Sequence, residues 1–352
     1  MAIVNLTING RKVTAEAGST LLEAAEAGGF SIPKLCHHPA LAPIGACRMC
    51  LVEIKGQRTL QPACTFPISE GMEVQTHSPQ VMDARRFVLQ LLLSDHPLDC
   101  MTCDSTGQCE LQDLMYEYGV KETMFPGETH AYAVDDPNPF LQRDYNKCIV
   151  CRRCVRACQE INGVEAIGMI WRGFRSKPGT PFDGNLEDST CEFCGMCVQV
   201  CPTGALVPKQ SLGQGRVWQL KKTESICPYC GVGCRLTYWT RGNEIVKVTS
   251  DWDKQPNRGA SCVKGRFGWD YVHHPDRVTQ PLIKKDGKFV EATWDEALDL
   301  VADKLVEIKK KHGGDAIGVL ASAKCTNEEN YLIQKFSRAV LETNNVDHCA
   351  RL

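Results

Sequence analysis

Between residues 3 and 8 apolar and polar positions alternate, with Val4, Leu6 and Ile8 on one face, the two-residue repeat of a half-buried strand. Asn9-Gly10 follows, a pair suited to a tight hairpin turn, and a second strand is expected around Val13. Thr20-Leu21-Leu22-Glu23 has the form of a capping box and opens a short helix that Gly28-Gly29 ends. The repeat lengthens to helical spacing over Pro79 to Ser94, where Val81, Met82, Phe87, Val88, Leu91 and Leu92 make the apolar set. Asp95-His96-Pro97 stops that helix and leaves His96 just past its terminus. Residues 116–140 lose any period, carry Pro126, Pro137 and Pro139, and read as a linker. Gly213 to Gly215 marks another boundary. From Thr293 the texture changes again. Trp294 to Lys311 is helical, Ala316 to Leu320 is a short apolar strand, and Asn327 to Glu342 is a second helix, the beginning of an α/β unit.

Cysteine changes this picture most. The chain has 21 cysteines in 352 residues, and all but Cys325 and Cys349 fall into groups with ligand spacing. The groups are Cys36, Cys47, Cys50, Cys64; then His96 with Cys100, Cys103, Cys109; then Cys148, Cys151, Cys154, Cys158; then Cys191, Cys194, Cys197, Cys201; and last Cys227, Cys230, Cys234, Cys262. Four thiolates close one iron–sulfur cluster, so five groups in a row read as a wire for single electrons. Zinc also takes four cysteines and is the alternative at the first group. A disulfide scaffold fits poorly with a long chain, an odd cysteine count and repeated C-x2-C spacing.

The first group should hold a 2Fe–2S cluster and the other four 4Fe–4S clusters. Hairpin, helix and cysteine-bearing loop together resemble the β-grasp ferredoxin fold, with a cysteine-bearing ubiquitin-like domain as the bland alternative. Gly45, in the loop between the first two ligands, supplies the backbone freedom a cluster-wrapping loop needs. In the second group His96 replaces one thiolate by a neutral ligand, which should alter the potential of that site. The third and fourth groups repeat Cys-x2-Cys-x2-Cys-x3-Cys within residues 145–209, separated by an insertion around Trp171 to Asp188. That is the two-cluster ferredoxin pattern, in which the fourth cysteine of each run serves the other cluster. Cys201 should then join Cys148, Cys151 and Cys154, and Cys158 should join Cys191, Cys194 and Cys197. Pro202 follows the second run as the pattern has it, whereas Gln159 follows the first. Arg152, Arg153 and Arg156 leave two readings: they offset the negative charge of a cluster, or they form a solvated face.

Charge and hydropathy exclude other classes. The formal net charge is −2 with both signs interspersed, so there is no nucleic-acid footprint. No apolar run approaches the ~20 residues of a membrane span, and the N-terminus has no secretory or twin-arginine leader. The expectation is a cytoplasmic protein, where thiols stay reduced.

The order of motifs resembles one family. Cys227-Pro-Tyr-Cys230-Gly-Val-Gly-Cys234, Cys262-Val-Lys264-Gly-Arg-Phe-Gly268 and the segment from Ser322-Ala-Lys-Cys325 to Asp347-His-Cys-Ala-Arg-Leu352 are similar to the catalytic subunit of cytoplasmic molybdenum- or tungsten-dependent formate dehydrogenases. The resemblance implies a bis-molybdopterin guanine dinucleotide cofactor next to the last cluster, with Lys264 bridging cluster and pterin. It also implies that the catalytic metal ligand, a selenocysteine or cysteine, stands directly after Leu352, so that no catalytic residue lies in this chain. A UGA codon read as a stop would explain an end at that point. Cys349 is then a neighbour of the ligand, and Cys325 either faces the cofactor or is an inert thiol.

The fold expected is an α+β multidomain chain: 1–79 a 2Fe–2S ferredoxin-type domain, 80–139 a histidine-ligated 4Fe–4S domain, and 140–212 a double 4Fe–4S ferredoxin domain. By resemblance, 218–276 is a molybdopterin oxidoreductase 4Fe–4S domain and 277–352 the incomplete beginning of a molybdopterin-binding α/β domain. The substrate implied is formate or CO2. The chain has no nucleotide-binding fingerprint. The partners implied are therefore flavin- and NAD(P)-binding or ferredoxin-linked iron–sulfur subunits, or a hydrogenase. Three rivals share part of the pattern: the large iron–sulfur subunit of respiratory complex I, an iron-only hydrogenase, and a non-catalytic electron-transfer subunit. The doubled ferredoxin motif argues against the first, and Cys262-Val-Lys264-Gly265 against the second.

Overall fold

In the computed structural model, residues 2–134 and 137–349 are described. The expectation attached to Leu352 and the position after it lies outside them.

The alternating segment forms β1 (Ile3–Ile8), which turns at Asn9-Gly10 into β2 (Arg11–Glu16), with Leu6 opposite Val13. Asn9 and Gly10 both have positive φ, 50° and 80°, which is why this pair closes the hairpin. Thr20 caps α1 (Leu21–Ala27) with the reciprocal Thr20–Glu23 bonds of a capping box. Three further strands, β3 (Leu51–Ile54), β4 (Gln61–Pro62) and β5 (Glu73–Gln75), complete a sheet in the order β2-β1-β5-β3-β4. Only β1 and β5 run parallel in it. Leu6, Ile8, Leu21, Leu22, Val52 and Val74 fill the space between this sheet and α1. The long β2-to-β3 connection carries three of the first four cysteines around the end of the sheet.

α2 (Pro79–Leu93) has the expected extent, but its buried stripe is Val81, Arg85, Leu89 and Leu93. Phe87 and Leu91, read from sequence as part of the apolar face, are 51% and 46% exposed. The missed member is Arg85, which is fully buried. Its guanidinium donates to the Tyr118 hydroxyl at 2.9 Å and the Leu51 carbonyl at 2.8 Å, so a cation occupies an i, i+4 core position. α3 (Glu110–Tyr118) packs on α2 and ends at Gly119 with φ 68°. The linker read from residue 116 therefore starts later. It is also tied down: His130 bonds Asp95 at 2.5 Å and stacks on Phe174 at 3.9 Å.

The duplicated segment is closed by β6 (Leu141–Arg143) pairing antiparallel with β9 (Leu206–Pro208). Between them lie α4 (Arg153–Arg156), a hairpin of β7 (Gly168–Ile170) and β8 (Lys177–Gly179), and α5 (Met196–Gln199). A three-stranded antiparallel sheet follows, β10 (Lys221–Ile226), β11 (Arg235–Arg241) and β12 (Glu244–Thr249). The short helix α6 (Val263–Phe267) begins directly after Cys262 and packs on β12.

The last segment has the α/β texture read from sequence. It holds the hairpin β13 (Leu282–Lys285) and β14 (Lys288–Glu291), α7 (Trp294–His312), β15 (Val319–Ala321), α8 (Asn327–Phe336) and β16 (Val346–His348). β15 and β16 are parallel. The strand is shorter and later than Ala316 to Leu320, because Gly314 to Ala316 form a helical turn. The second helix stops its α-helical winding at Phe336, and the following turn to Leu341 is wider. No side chain of α7 or α8 is buried; Trp294, Leu298 and Val301 are 67%, 58% and 55% exposed. An amphipathic helix normally covers such a stripe with another layer. Among the described residues, no helix is long and apolar enough to cross a membrane.

Candidate metal centres

None of the 21 cysteines is in a disulfide. Cys36, Cys50 and Cys64 are almost completely buried, and Cys47 is half-buried beside them. Backbone N–H groups point at sulfur: Cys36 N–H donates to the Cys47 thiol at 3.3 Å and Cys47 N–H to the Cys36 thiol at 3.4 Å. The S–H groups of Cys47 and Cys64 hold the Cys36 thiol far below its usual range. Three of these residues also share side-chain bonds through Cys64, which bonds both Cys36 and Cys50. Gly45 has φ 62°, and a Cβ there would meet the Thr65 hydroxyl at 3.3 Å, so the loop needs glycine on two counts.

The second set is brought together only in part. Cys103 has Cys100 among its charged neighbours, and Cys109 has Cys103. Burial pushes the Cys109 thiol up to about 11. His96 lines a cavity with Asp95, Asp99, Asp144 and Lys147, and no cysteine lines that cavity. Asp99 and Lys147 face both His96 and Cys103 and so connect the two. The Nδ1 atom of His96 is buried with no hydrogen-bond partner, an arrangement that suits a metal ligand.

In the duplicated segment the two halves have matching backbones. Val150 and Phe193 have φ 52° and 51°; Arg152 and Gly195 have φ 61° and 71°. The positive φ turns an amide inward in each half, Val150 N–H to the Cys148 thiol and Phe193 N–H to the Cys191 thiol, both at 3.4 Å. One cavity is lined by Cys148, Cys151, Cys154 and Cys201 together. The charges acting on Cys197 come from Cys194, Cys191 and Cys158. The fourth cysteine of each run therefore stands with the other run's three. Burial pushes Cys148 and Cys151 up to about 12, so each bare thiol holds its proton until a cation replaces it.

A cavity of about 120 Å³ is lined by Cys227, Cys230, Cys234 and Cys262 with Lys264 and Lys324. Gly265 lets the backbone close on it, since a Cβ there would lie 3.4 Å from the Cys227 sulfur. Lys324 belongs to the last segment, whose Ala323 carbonyl accepts the Gly231 N–H at 2.8 Å. Sequence reading missed Lys324. Nearby, the exposed Cys349 thiol accepts the Ala323 N–H at 3.2 Å, and the Ser322 hydroxyl lowers its pKa. Cys325 is half-buried one residue beyond Lys324.

These residues fit iron–sulfur clusters. Four thiols line each of two cavities, amides aim at sulfur, and the buried Arg266 lacks a carboxylate partner among the described residues. No three donors among the described residues converge on a single-ion site. A cluster puts each ligand on a different iron and needs that wider ring.

The arginines divide the two readings left open by sequence. Arg152 is exposed, whereas Arg153 and Arg156 are 3% and 6% exposed and join neighbouring units. Arg153 grips the Glu110 carboxylate, beside Cys109, with two bonds of 2.5 and 2.8 Å. Arg156 donates to the Cys36 and Ala42 carbonyls of the first cysteine loop. Arg216 donates to the Cys103 carbonyl at 2.6 Å. Glycine closeness does the same work elsewhere: a Cβ on Gly204 would lie 2.8 Å from the Cys103 sulfur.

Comparison with known proteins agrees with this arrangement. Residues 2–79 match a 2Fe–2S iron–sulfur cluster binding domain, and 85–123 the NADH-ubiquinone oxidoreductase-G iron–sulfur binding region. Residues 138–207 match the ferredoxin-like domain of NADH-quinone oxidoreductase subunit 3. Residues 220–274 match the molybdopterin oxidoreductase Fe4S4 domain, and 277–352 the molybdopterin oxidoreductase family. The chain is 42% identical to a G-type NADH-quinone oxidoreductase subunit of Rhizobium meliloti, over 99% of this chain and 40% of that protein. It is 36% identical to a Staphylococcus aureus protein provisionally named a formate dehydrogenase, over 98% of this chain and 39% of that one. A solved NAD+-reducing [NiFe]-hydrogenase chain superposes with TM-score 0.57 at 32% identity, over 61% of this chain and 91% of that one. The fold and its cysteine cavities define an iron–sulfur and molybdopterin oxidoreductase region. Within that class the chain is NADH-quinone oxidoreductase G-like. It spans about 40% of the length of the curated relatives it matches. The doubled ferredoxin motif, expected to set this chain apart from complex I subunits, does not do so, because residues 138–207 match a domain of that complex.

Proposed function

We propose that this chain is the electron-carrying part of a molybdenum- or tungsten-dependent formate dehydrogenase, working in either direction between formate and CO2. The observation that carries the reading is the cavity ringed by Cys227, Cys230, Cys234 and Cys262 with two lysines, Lys264 and Lys324, on its wall. Its similarity to formate dehydrogenase-named relatives adds support. Iron–sulfur clusters supply one-electron storage, and a bis-pterin metal centre supplies the two-electron chemistry. The chain's own residues do the rest. The five cysteine groups, with His96, hold one 2Fe–2S and four 4Fe–4S clusters in the units 1–79, 80–139, 140–212 and 218–276, and residues 277–352 begin the pterin-binding unit. Lys264 and Lys324 set positive charge where an electron and an anionic pterin meet. Arg153, Arg156 and Arg216 fix the distances between successive units by gripping backbone or carboxylate beside a ligand. Flavin- or NAD(P)-binding or ferredoxin-linked subunits in the cytoplasm take the electrons.

The test is made on the full-length protein. Molybdenum or tungsten content near one per chain, with formate-dependent dye reduction, is expected. A second reading has a specific observation behind it: the 42% identity to an NADH-quinone oxidoreductase subunit exceeds the 36% to the formate dehydrogenase-named protein. In that reading the same wire serves an NADH-linked complex. A protein with all its iron but neither metal nor formate activity would select it.

A further inference from the structure

α6 is one turn long, and residues two apart on a helix point in different directions. Lys264 lines the cavity of the last cysteine group. Arg266 leaves the other side and enters the duplicated segment. Its Cγ and Cδ lie 2.9 and 3.1 Å from where a Cβ on Gly195 would stand, and Gly195 sits between Cys194 and Cys197. The guanidinium donates to the Gln199 side chain on α5, and Gln199 in turn donates to the Ser250 carbonyl at 2.7 Å. Arg266 is 3% exposed, and its Nε and Nη2 atoms have no partner. Among the described residues no carboxylate pairs with it. The negative groups it does face are the thiols of Cys194 and Cys197. Leaving a charge buried without a counter-charge costs several kcal/mol. Arg153, of equal burial, has Glu110; Arg156 has two carbonyls.

We propose that Arg266 is the positioning residue between the cluster held by Cys158, Cys191, Cys194 and Cys197 and the cluster held by Cys227, Cys230, Cys234 and Cys262. Its charge and two free N–H groups stabilise the reduced form of the former. The inference rests on the cluster assignment proposed above. No bond forms or breaks and no proton moves. Each transfer takes one electron from one ligand set's cluster and adds one to the other's, while Arg266 keeps its charge throughout. Gly195 is then required because any side chain would displace the Arg266 stem.

The experiment is an EPR-monitored redox titration of the anaerobically purified holoprotein, with iron content measured alongside. In Arg266→Gln, one 4Fe–4S signal should become at least about tenfold harder to reduce, which for one electron is about 59 mV. The other signals should stay, and Arg266→Lys should restore most of the shift. Arg266→Met serves as the neutral variant should Arg266→Gln fail to load. Loss of one cluster in both neutral variants but not in Arg266→Lys also supports a charge requirement. Unchanged potentials in a fully loaded neutral variant overturn the proposal. So does an equal shift or equal cluster loss in Arg266→Lys, which would mark a packing role. A parent protein without these clusters would instead refute the assignment on which the inference rests.

Discussion

Gly204→Ala isolates a contact between two cysteine-bearing units. Gly204 follows Cys201-Pro202-Thr203, and a Cβ there would lie 2.8 Å from the Cys103 sulfur and 3.2 Å from the Ser105 hydroxyl. Ordinary contacts between heavy atoms are about 3.5–4.0 Å, so the sulfur must retreat by roughly 1 Å. A free thiol does this by rotating about χ1. A thiolate bonded to iron is held in place, and the methyl then works against cluster binding. Overpacking of this kind costs about 1–3 kcal/mol, or roughly 5- to 150-fold in the equilibrium for holding that one cluster. The assay is iron per folded chain with EPR of the dithionite-reduced protein. Gly127→Ala is the control, since nothing lies within 4 Å of a Cβ there. Gly204→Ala should lose about four iron atoms and one 4Fe–4S signal, or show that signal shifted, while the iron-free chain unfolds much as the parent does. Full iron with every signal unchanged would refute both the contact and Cys103 as a ligand.

Cys201→Ala should remove the same EPR signal as Cys148→Ala and leave the signal removed by Cys191→Ala; the opposite pairing would refute the crossed arrangement. His96→Cys should keep a cluster with an altered potential, whereas Cys103→Ala loses it; redox titration reads both, and unchanged potentials in His96→Ala would exclude His96 as a ligand. Burial and the nearby Arg266 push Lys247 down to about 8. The native state then binds that proton more weakly than the unfolded chain. Its penalty is complete below about pH 8 and relieved as pH rises toward about 10.5. Urea stability of the parent relative to Lys247→Met should rise across that window, and a flat difference would contradict it.

Elements with a local cause were legible in the sequence. The Asn9-Gly10 hairpin, the Thr20–Glu23, Thr293–Glu296 and Thr326–Glu329 capping boxes and the extent of α2 are each decided within a few residues. The cysteine groups were legible because ligand spacing is local too. The buried face of α2 was not, because Arg85 reaches its core position only through partners at Leu51 and Tyr118. Arg266 lay in plain view two residues after Lys264. Its meaning depends on Gly195 and Gln199, more than sixty residues away, and nothing in the local pattern separates such an arginine from a solvated one. Likewise Arg152, Arg153 and Arg156 read alike in sequence, and only packing divides the exposed one from the two that join units. His96 marks the limit in the other direction. Spacing sets it with Cys100, Cys103 and Cys109, while the cavity it lines holds carboxylates and Lys147.

A five-cluster electron wire fixes the iron content of the chain. Anaerobic iron and acid-labile sulfide quantification on the folded, purified protein, read with EPR, is the direct test. About 18 iron atoms per chain are expected, with one 2Fe–2S and four 4Fe–4S signals. Iron near eight or ten per chain with every motif folded, or zinc in its place, would mean that the wire does not exist.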